Sequence, residues 1–222
     1  MAKADTATGP LAIPGSTVIK YEINGVVKGW RYNGEVDLTW LHDGKTYDAK
    51  MAVTVGGITV RRWTSSGFIT TDGLAPTRFA EKSKSEQAAH FNPEQGKIIF
   101  SANTPDAPWS RGTQDRLSVL LQLTSLLAGD PGKYPVGTSI KINTVGPREA
   151  GAWVFTVEKE DSYQLPSGPI AALKLVRTLR HEYDQKLEIW FAPDLGYLPI
   201  RTRLTESNGS FTDQKLRSVE AP

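Results

Sequence analysis

The stretch TQDRLSVLLQLTSLL, residues 113–127, determines how this chain can fold. It contains the i, i+3, i+4, i+7 spacing of a helix with one buried face. The positions with this spacing are Leu117, Leu120, Leu121 and Thr124. Thr113 is predicted to cap the helix, and Asp115 to interact with the positive end of its dipole. A single helix of this kind in a chain of strands must lie across a sheet, plug a barrel or cover a cavity.

The rest of the chain has the pattern of β-strands. From Trp30 to Trp40 the residues alternate with period two, which places one strand face on a core and the other in water. Similar alternation continues between turn signals such as Asp43-Gly44 and Ser65-Ser66-Gly67. The predicted strands are 16–23, 27–42, 45–55, 58–63, 67–71, 77–82, 86–91 and 96–101 before the helix, and 138–144, 151–159, 169–181, 184–192, 197–206 and 210–219 after it.

This many strands cannot form one flat sheet, because open sheets of more than about ten strands curl or split. The sequence therefore predicts a mainly β fold: a single curled antiparallel sheet with one amphipathic helix packed on its concave face. An open barrel, a half-barrel and a β-spiral all satisfy this description.

No internal repeat or linker divides the 222 residues, so we expect a single β domain over residues 16–220. Residues 1–15 are small and polar at their start and are predicted to be a flexible N-terminus. Two origins for this segment remain open. It is either a natural flexible end or the beginning of a fragment from which a signal peptide or anchor has been removed.

The bulk composition excludes several function classes. Lys and Arg number 26 against 24 Asp and Glu, with the signs interspersed, so no basic face for nucleic acid is expected. The chain has no cysteine, which excludes disulfides, thiol nucleophiles and thiolate metal sites. No apolar run approaches the roughly 18 residues of a membrane span, so no transmembrane segment is predicted.

No catalytic or cofactor signature is present. The three histidines, His42, His90 and His181, do not have metal-ligand spacing, and no metal site is predicted. The chain has no G-x-S-x-G elbow and no phosphate-binding loop, so no catalytic residue and no cofactor are assigned. Asp115 and Asp194 adjoin apolar sequence and are the carboxylates expected in unusual environments, although a helix start and a turn explain them structurally.

Six tryptophans are many for this length. Large aromatic rings either fill a wide β core or line an apolar ligand site, and both interpretations remain open. Trp109, in a proline-containing loop just before the helix, is predicted to stand at a cavity mouth. We expect a ligand cavity, if present, to be lined by Trp63, Trp109 and Leu120.

Three motifs carry a family resemblance. They are SGFIT at 66–70 followed by GLAPTRF at 73–79, GTQDRLS at 112–118, and WFAPDLGYLPIR at 190–201. In this order they resemble the bacterial domain-of-unknown-function family numbered 3108, over about residues 17–219. The resemblance implies an exported, periplasmic protein of the Gram-negative cell envelope with no established activity. Its matched polar positions are Gln114, Asp115, Ser118 and Asp194.

Three hypotheses follow. The first is a non-enzymatic envelope protein that binds an apolar small molecule or a lipid inside the curled sheet. The second is a module with a solid core that interacts with another envelope protein or acts as a scaffold, and the third is a hydrolase with an unrecognised site. The ligand-binding residues predicted under the first hypothesis are Trp63, Trp109, Gln114, Asp115, Ser118, Leu120, Trp190 and Asp194.

Overall fold

A computed structural model describes residues 5–6, 10–165 and 168–222. Strands β1 to β10 precede the helix, at Asp5–Thr6, Thr17–Val27, Trp30–His42, Thr46–Val55, Ile58–Thr70, Gly73–Lys82, Glu86–Asn92, Lys97–Phe100, Ala107–Pro108 and Gln114–Asp115. Helix α1 spans Ser118–Gly129. Strands β11 to β16 follow, at Ser139–Val145, Ala150–Leu165, Gly168–Arg177, Lys186–Ala192, Leu198–Thr205 and Phe211–Glu220. Short 3-10 turns lie at Pro131–Lys133 and Pro193–Leu195.

All of these strands belong to one sheet. The order is β1-β11-β12-β13-β14-β15-β16-β2-β3-β4-β5-β6-β7-β8-β9, with β10 beside β11. Two antiparallel meanders, β2 to β9 and β11 to β16, are joined where β16 pairs with β2. Strands β1 and β9 end the order without pairing with each other, so the sheet is open. The predicted mainly β fold with a single curled sheet and one helix is confirmed.

Bulges help to curl the sheet, because each adds a residue to one strand and increases the local twist. One lies between Ser66 and Gly67, where β5 changes register against β6. A Cβ at Gly67 would collide with the carbonyl oxygen of Ala75, so this bend requires glycine. The predicted turn at Ser65-Ser66-Gly67 was therefore wrong, since the two strands predicted on either side are one bent strand, β5.

The meanders give the curled sheet two distinct ends. Tips 27–30, 55–58, 82–86 and 205–211, with loops 146–149 and 177–186, lie together at what we call the mouth end. The turns near residues 43–45, 71–72 and 93–96 lie at the opposite end, which we call the helix end. This division follows from the antiparallel pairing, in which successive turns alternate between the two ends.

Helix α1 is buried on all sides along its first ten residues, 118–127. The hydroxyl groups of Thr124 and Ser125 donate to the carbonyls of Leu120 and Leu121, one turn earlier. Such bonds satisfy small polar side chains without solvent. The prediction of a single buried face was therefore too narrow, because the residues that make the helix look amphipathic are also buried.

Gln122 fixes the helix to the helix end of the sheet. Its Oε1 accepts a hydrogen bond from the backbone N–H of Leu74 (2.8 Å), and its Nε2 donates to the carbonyl of Asp72 (3.1 Å). These bonds satisfy backbone groups at the turn between β5 and β6. A buried polar side chain thus positions the helix against one specific hairpin.

The helix begins five residues later than the sequence predicts. Gln114 and Asp115 form β10, which pairs in parallel with Thr144 and Val145 of β11. The N-cap residue is Leu117, so the predicted cap at Thr113 was wrong. The apolar periodicity continues across this boundary, which is why it does not reveal where the strand ends.

Residues 10–15 lie over the helix. The backbone N–H of Ala12 donates to the carbonyl of Ser125 (3.0 Å), and the carbonyl of Pro14 accepts from Trp40 Nε1 (2.8 Å). Of the predicted flexible segment 1–15, residues 1–4 and 7–9 lie outside the described residues. Among the described residues of the whole chain, no helix combines the length and hydrophobicity needed to cross a membrane.

Candidate functional site

A cavity of about 270 Å³ lies inside the curled sheet, between the first turn of α1 and the concave face. It extends toward the mouth end, where β2, β4, β5, β14, β15 and β16 contribute its wall. Its apolar lining includes Ile23, Met51, Leu117, Leu120, Leu187 and Leu204. The predicted residues Trp63 and Leu120 both line this cavity.

Three arginines also line the cavity, Arg61, Arg116 and Arg177, whereas Glu81 is the only carboxylate among its lining residues. Arg61 lies 3.6 Å from Glu81, and the side chain of Arg61 is half exposed. Arg116 donates to Glu149 at 2.7 Å and is also partly exposed. These two arginines therefore mark the side of the cavity that opens to solvent.

Arg177 differs from the other two arginines because it is only 7% exposed. Its guanidinium stacks on the ring of Trp153, 4.5 Å from the ring centroid, and donates to the carbonyl of Gln185. No carboxylate among the described residues is within 4.0 Å of it, and the nearby Asp184 is bound by Arg180 at 3.2 Å. Burial lowers the pKa of Arg177, but an arginine keeps its charge in proteins.

Trp63 is held in place by a carboxylate. Its Nε1 donates to Glu81 Oε2 at 3.0 Å, and Arg61 lies over the ring, 5.5 Å from its centroid. A tryptophan held by a hydrogen bond at its N–H and by a cation over its ring presents an aromatic face of fixed orientation. The cavity wall at this position is therefore preorganised.

A second pocket of about 280 Å³ lies near the helix end, beside the β5–β6 turn. It is lined by Trp109 together with Leu74, Pro76, Arg111 and Thr113. Trp109 is thus at a pocket, but it does not share the cavity of Trp63 and Leu120. The three residues predicted to line one cavity are divided between two.

Asp115 is fully buried beneath the start of the helix. Its Oδ1 accepts hydrogen bonds from the backbone N–H groups of Leu117 (2.8 Å) and Ser118 (2.7 Å), and Ser118 Oγ accepts from the N–H of Asp115 (2.8 Å). Its Oδ2 accepts from Ser65 Oγ at 2.5 Å. Since Ser65 donates its one proton to Asp115, the Tyr47 hydroxyl, 3.0 Å from Ser65 Oγ, donates to Ser65.

Burial dominates the electrostatics of this network. It raises the pKa of Asp115 from 3.8 to about 6, against the opposing effect of the hydrogen bonds from Ser65 and Ser118. Burial also raises the pKa of Tyr47 well above its ordinary value, with a further contribution from the nearby Asp115. Asp115, Ser65 and Tyr47 line neither pocket, so their evident role is to hold the beginning of α1 against β4 and β5.

Gln114 is also fully buried, and it holds the loop before the helix. Its Nε2 donates to the carbonyls of Leu74 (2.6 Å) and Gly112 (3.4 Å). Its Oε1 is buried and has no hydrogen-bond partner among the described residues. Gln114, like Asp115 and Ser118, therefore lies behind the cavity wall instead of in it.

The last two predicted residues lie elsewhere. Trp190 is on the convex face of the sheet, packed between the Lys174 ammonium at 5.2 Å and the Arg201 guanidinium at 4.5 Å from its ring centroid. Asp194 is exposed in the 3-10 turn before β15. Neither residue lines a pocket described above.

The three arginines of the cavity were not predicted. A signal for one of them is present in β13, where Leu173, Leu175 and Arg177 share one parity and therefore one face. A charge on the apolar parity of a strand indicates a buried cation or a polar interior. No three His, Asp or Glu side chains converge as metal ligands in the part of the chain that the structure describes.

The comparisons with known proteins agree with this architecture. The family described as "Protein of unknown function (DUF3108)" matches residues 20–215. No curated protein matches the chain in sequence. The fold is similar to that of a β-barrel-like protein of domain of unknown function DUF1849 from Brucella abortus, with a TM-score of 0.59 and 11% identity over 94% of this chain and 99% of that one.

Two further solved structures are more distant. A putative outer membrane lipoprotein-sorting protein domain from Vibrio parahaemolyticus has a TM-score of 0.33 and 9% identity, over 93% of this chain and 85% of that one. MucB has a TM-score of 0.34 and 11% identity, over 95% of this chain and 56% of that one. Similarity at this level carries no argument about function.

Proposed function

This chain belongs to the DUF3108 family of proteins of unknown function, and we propose that it binds an apolar or amphipathic ligand, such as a lipid, inside its curled sheet. In this proposal it is a non-enzymatic protein of the periplasm. The periplasmic location rests on the family resemblance, since members are typically exported proteins of Gram-negative bacteria.

The cavity at the mouth end carries the proposal. Its volume of about 270 Å³ is slightly smaller than that of most ligand sites, which range over roughly 300–1,000 Å³. An apolar wall with a few polar groups at one side is the usual composition of such sites. The size suits one acyl chain better than the two chains of a whole phospholipid.

Binding can be tested on delipidated protein. After incubation with total envelope lipids, native mass spectrometry should show one added species per chain. Leu120→Trp places a larger side chain in the cavity and should reduce the bound fraction several-fold. Leu41→Trp, at an exposed position of β3, is the matched control and should bind as the unchanged protein does.

Two results would contradict the proposal. One is the absence of any bound species in the unchanged protein. The other is equal binding by the Leu120→Trp and Leu41→Trp proteins when circular dichroism shows both to be folded.

The two alternative hypotheses have less support. A module that pairs through its sheet edges would need long exposed edge strands, and among the described residues the strands at the edges, β1, β9 and β10, are each two residues long. A hydrolase would need a substrate to reach a carboxylate such as Asp115, which is fully buried outside both pockets.

A further inference from the structure

We infer that the ligand is an anionic amphiphile whose acyl chain occupies the cavity and whose carboxylate or phosphate group binds Arg177, with Arg116 and Arg61 nearby. This inference rests on the proposed function and specifies its ligand class. Arg177, unlike Arg61 and Arg116, has no carboxylate partner among the described residues, and this difference favours an anionic ligand.

Arg177 is the central observation. A buried charge is costly unless it is paired, and almost no arginine is fully buried without a carboxylate. The hydrogen bond to the Gln185 carbonyl and the stacking on Trp153 orient the guanidinium but do not neutralise it. An anion in the cavity would supply the missing charge and bind the remaining N–H donors.

Other polar groups that line the cavity also favour a ligand with negatively charged or hydrogen-bond-accepting oxygens. Arg61 and Arg116 line the cavity, and their carboxylate partners, Glu81 and Glu149, leave Arg177 as an excess positive charge. Thr202 also lines the cavity, and its Oγ1 is buried without a hydrogen-bond partner among the described residues. A head group with several acceptor oxygens fits the cation, and Thr202 offers a further hydrogen-bond donor within the same cavity.

The apolar part of the ligand has a defined place beneath these groups. Leu120 on α1 and Met51, which pairs with Trp63 farther from the mouth end than Arg61, provide apolar surface, and no charged residue other than the three arginines and Glu81 lines the cavity. One end of the site therefore accepts hydrocarbon and the other accepts an anion. This polarity predicts the orientation of the ligand, with its head group toward the mouth end.

The test compares single-chain amphiphiles of equal length below their micelle concentrations. Isothermal titration with dodecanoate and dodecyl phosphate should show binding about tenfold or more tighter than with dodecanol, as expected for charge-assisted hydrogen bonds. Dodecyltrimethylammonium should bind more weakly than dodecanol. Tighter binding of the phosphate indicates a phospholipid-type head group, whereas tighter binding of the carboxylate indicates a free fatty acid.

Arg177→Gln should remove most of the preference for dodecanoate over dodecanol and leave dodecanol binding nearly unchanged. If that protein does not fold, the double variant Arg61→Gln, Arg116→Gln provides the same readout, because both side chains are partly exposed. Arg217→Gln, an exposed arginine outside the cavity, is the control and should change nothing.

The two proposals fail in different ways. Equal affinity for dodecanol and dodecanoate overturns the anionic head group and leaves a purely apolar ligand site. A lack of binding by every one of these amphiphiles overturns the ligand site itself.

A second inference comes from the exposed side chains at the mouth end. Trp30 is 82% exposed, Tyr183 77% and Ile58 70%, and all three lie on tips or loops that surround the opening. The mouth-end segments 27–30, 55–58, 82–86, 146–149, 177–186 and 205–211 contain seven Lys or Arg, including the buried Arg177, against five Asp or Glu. Large apolar side chains and basic residues thus occur on the same surface.

We propose that this surface docks on an anionic lipid bilayer. Tryptophan and tyrosine favour the head-group level of a membrane, and Lys and Arg are attracted to an anionic surface over a distance that salt shortens. The opening of the cavity would then face the bilayer directly. An acyl chain would pass between membrane and cavity without crossing water.

Vesicle co-sedimentation tests the docking. The protein should bind vesicles of phosphatidylglycerol and phosphatidylethanolamine. Binding should be much weaker to vesicles of phosphatidylcholine, and weaker to the anionic vesicles when the salt concentration is high. The double variant Trp30→Ala, Ile58→Ala should bind about tenfold more weakly, because it removes two large apolar contacts. The control Leu41→Ala, Val136→Ala, at exposed positions away from the mouth end, should bind normally. No sedimentation with anionic vesicles, or an equal loss in both double variants, overturns the proposal.

Discussion

The helix end and the mouth end of the curled sheet are built from the same strands, but their interiors are filled differently. At the helix end, α1 fills the interior, and its polar side chains are satisfied by the helix itself or by the β5–β6 turn. At the mouth end the strands continue past the helix, and a cavity with unequal charges remains. The interior at the helix end is therefore filled by α1, whereas the interior at the mouth end contains the proposed ligand site. The predictions below test this division, from the largest expected effect to the smallest.

Leu123→Ala should cause the largest loss of stability, about 3–5 kcal/mol in the free energy of unfolding. Leu123 is fully buried and lines neither pocket, so the substitution creates a new cavity in packed core. Urea denaturation followed by tryptophan fluorescence measures the change. A loss below about 1 kcal/mol would show that the helix end is not densely packed.

Asp115→Asn should change how stability depends on pH. The pKa of Asp115 is raised to about 6 in the folded protein from 3.8 when unfolded, so the folded state binds more protons between these values. The unchanged protein should lose up to about 3 kcal/mol of stability from this group as the pH rises from about 4 to about 6. Asparagine cannot titrate, so it lacks this loss.

Denaturation curves of the two proteins, recorded at intervals from about pH 3.5 to about pH 7.5, measure that difference. The stability of the variant relative to the unchanged protein should rise through the window and level off above it. Parallel pH profiles would show that Asp115 does not titrate with a raised pKa.

Leu120→Ala should cost less than Leu123→Ala, about 2 kcal/mol, at the lower end of such substitutions. Leu120 already faces the cavity, so its truncation enlarges an existing space and loses fewer packing contacts. The same urea experiment compares the two leucines directly. Equal losses would remove the distinction between the filled and the open part of the interior.

Trp63→Phe should have the smallest effect on stability, about 1 kcal/mol. Phenylalanine keeps most of the aromatic surface but loses the hydrogen bond from Nε1 to Glu81. Because Trp63 forms the cavity wall, ligand affinity should fall more clearly than stability. An unchanged affinity, measured by the titrations above, would show that the orientation of this ring does not matter for binding.

The strands could be predicted from sequence because alternating parity reports directly which face is buried. The bulge at Ser66 and Gly67 could not be predicted, because serine and glycine are common both in bulges and in turns. The buried polar face of α1 was also hidden, because Thr124 and Ser125 bond within the helix and give no sign of burial. Local patterns do not contain this tertiary information.

The candidate site was predicted only in part. Trp63 and Leu120 were identified because large apolar residues are expected to line an apolar interior. Arg177 was missed because an isolated arginine is normally assigned to the surface, although its parity with Leu173 and Leu175 placed it inside. In a curled sheet, a charged residue among the inward-facing apolar positions of a strand is as useful for predicting a cavity-lining residue as a tryptophan is.

The pairing of β2 with β16 has a consequence for how the protein acquires its fold. Thr17 Oγ1 donates to the carbonyl of Glu220 at 2.9 Å, so residues 203 positions apart in sequence lie on neighbouring strands. The wall of the cavity includes Ile23 from one of them and Gln214 from the other. Contacts of such long range make folding slow. We therefore expect slow folding, and ligand binding is possible only once β16 has paired with β2, because the cavity wall needs both strands.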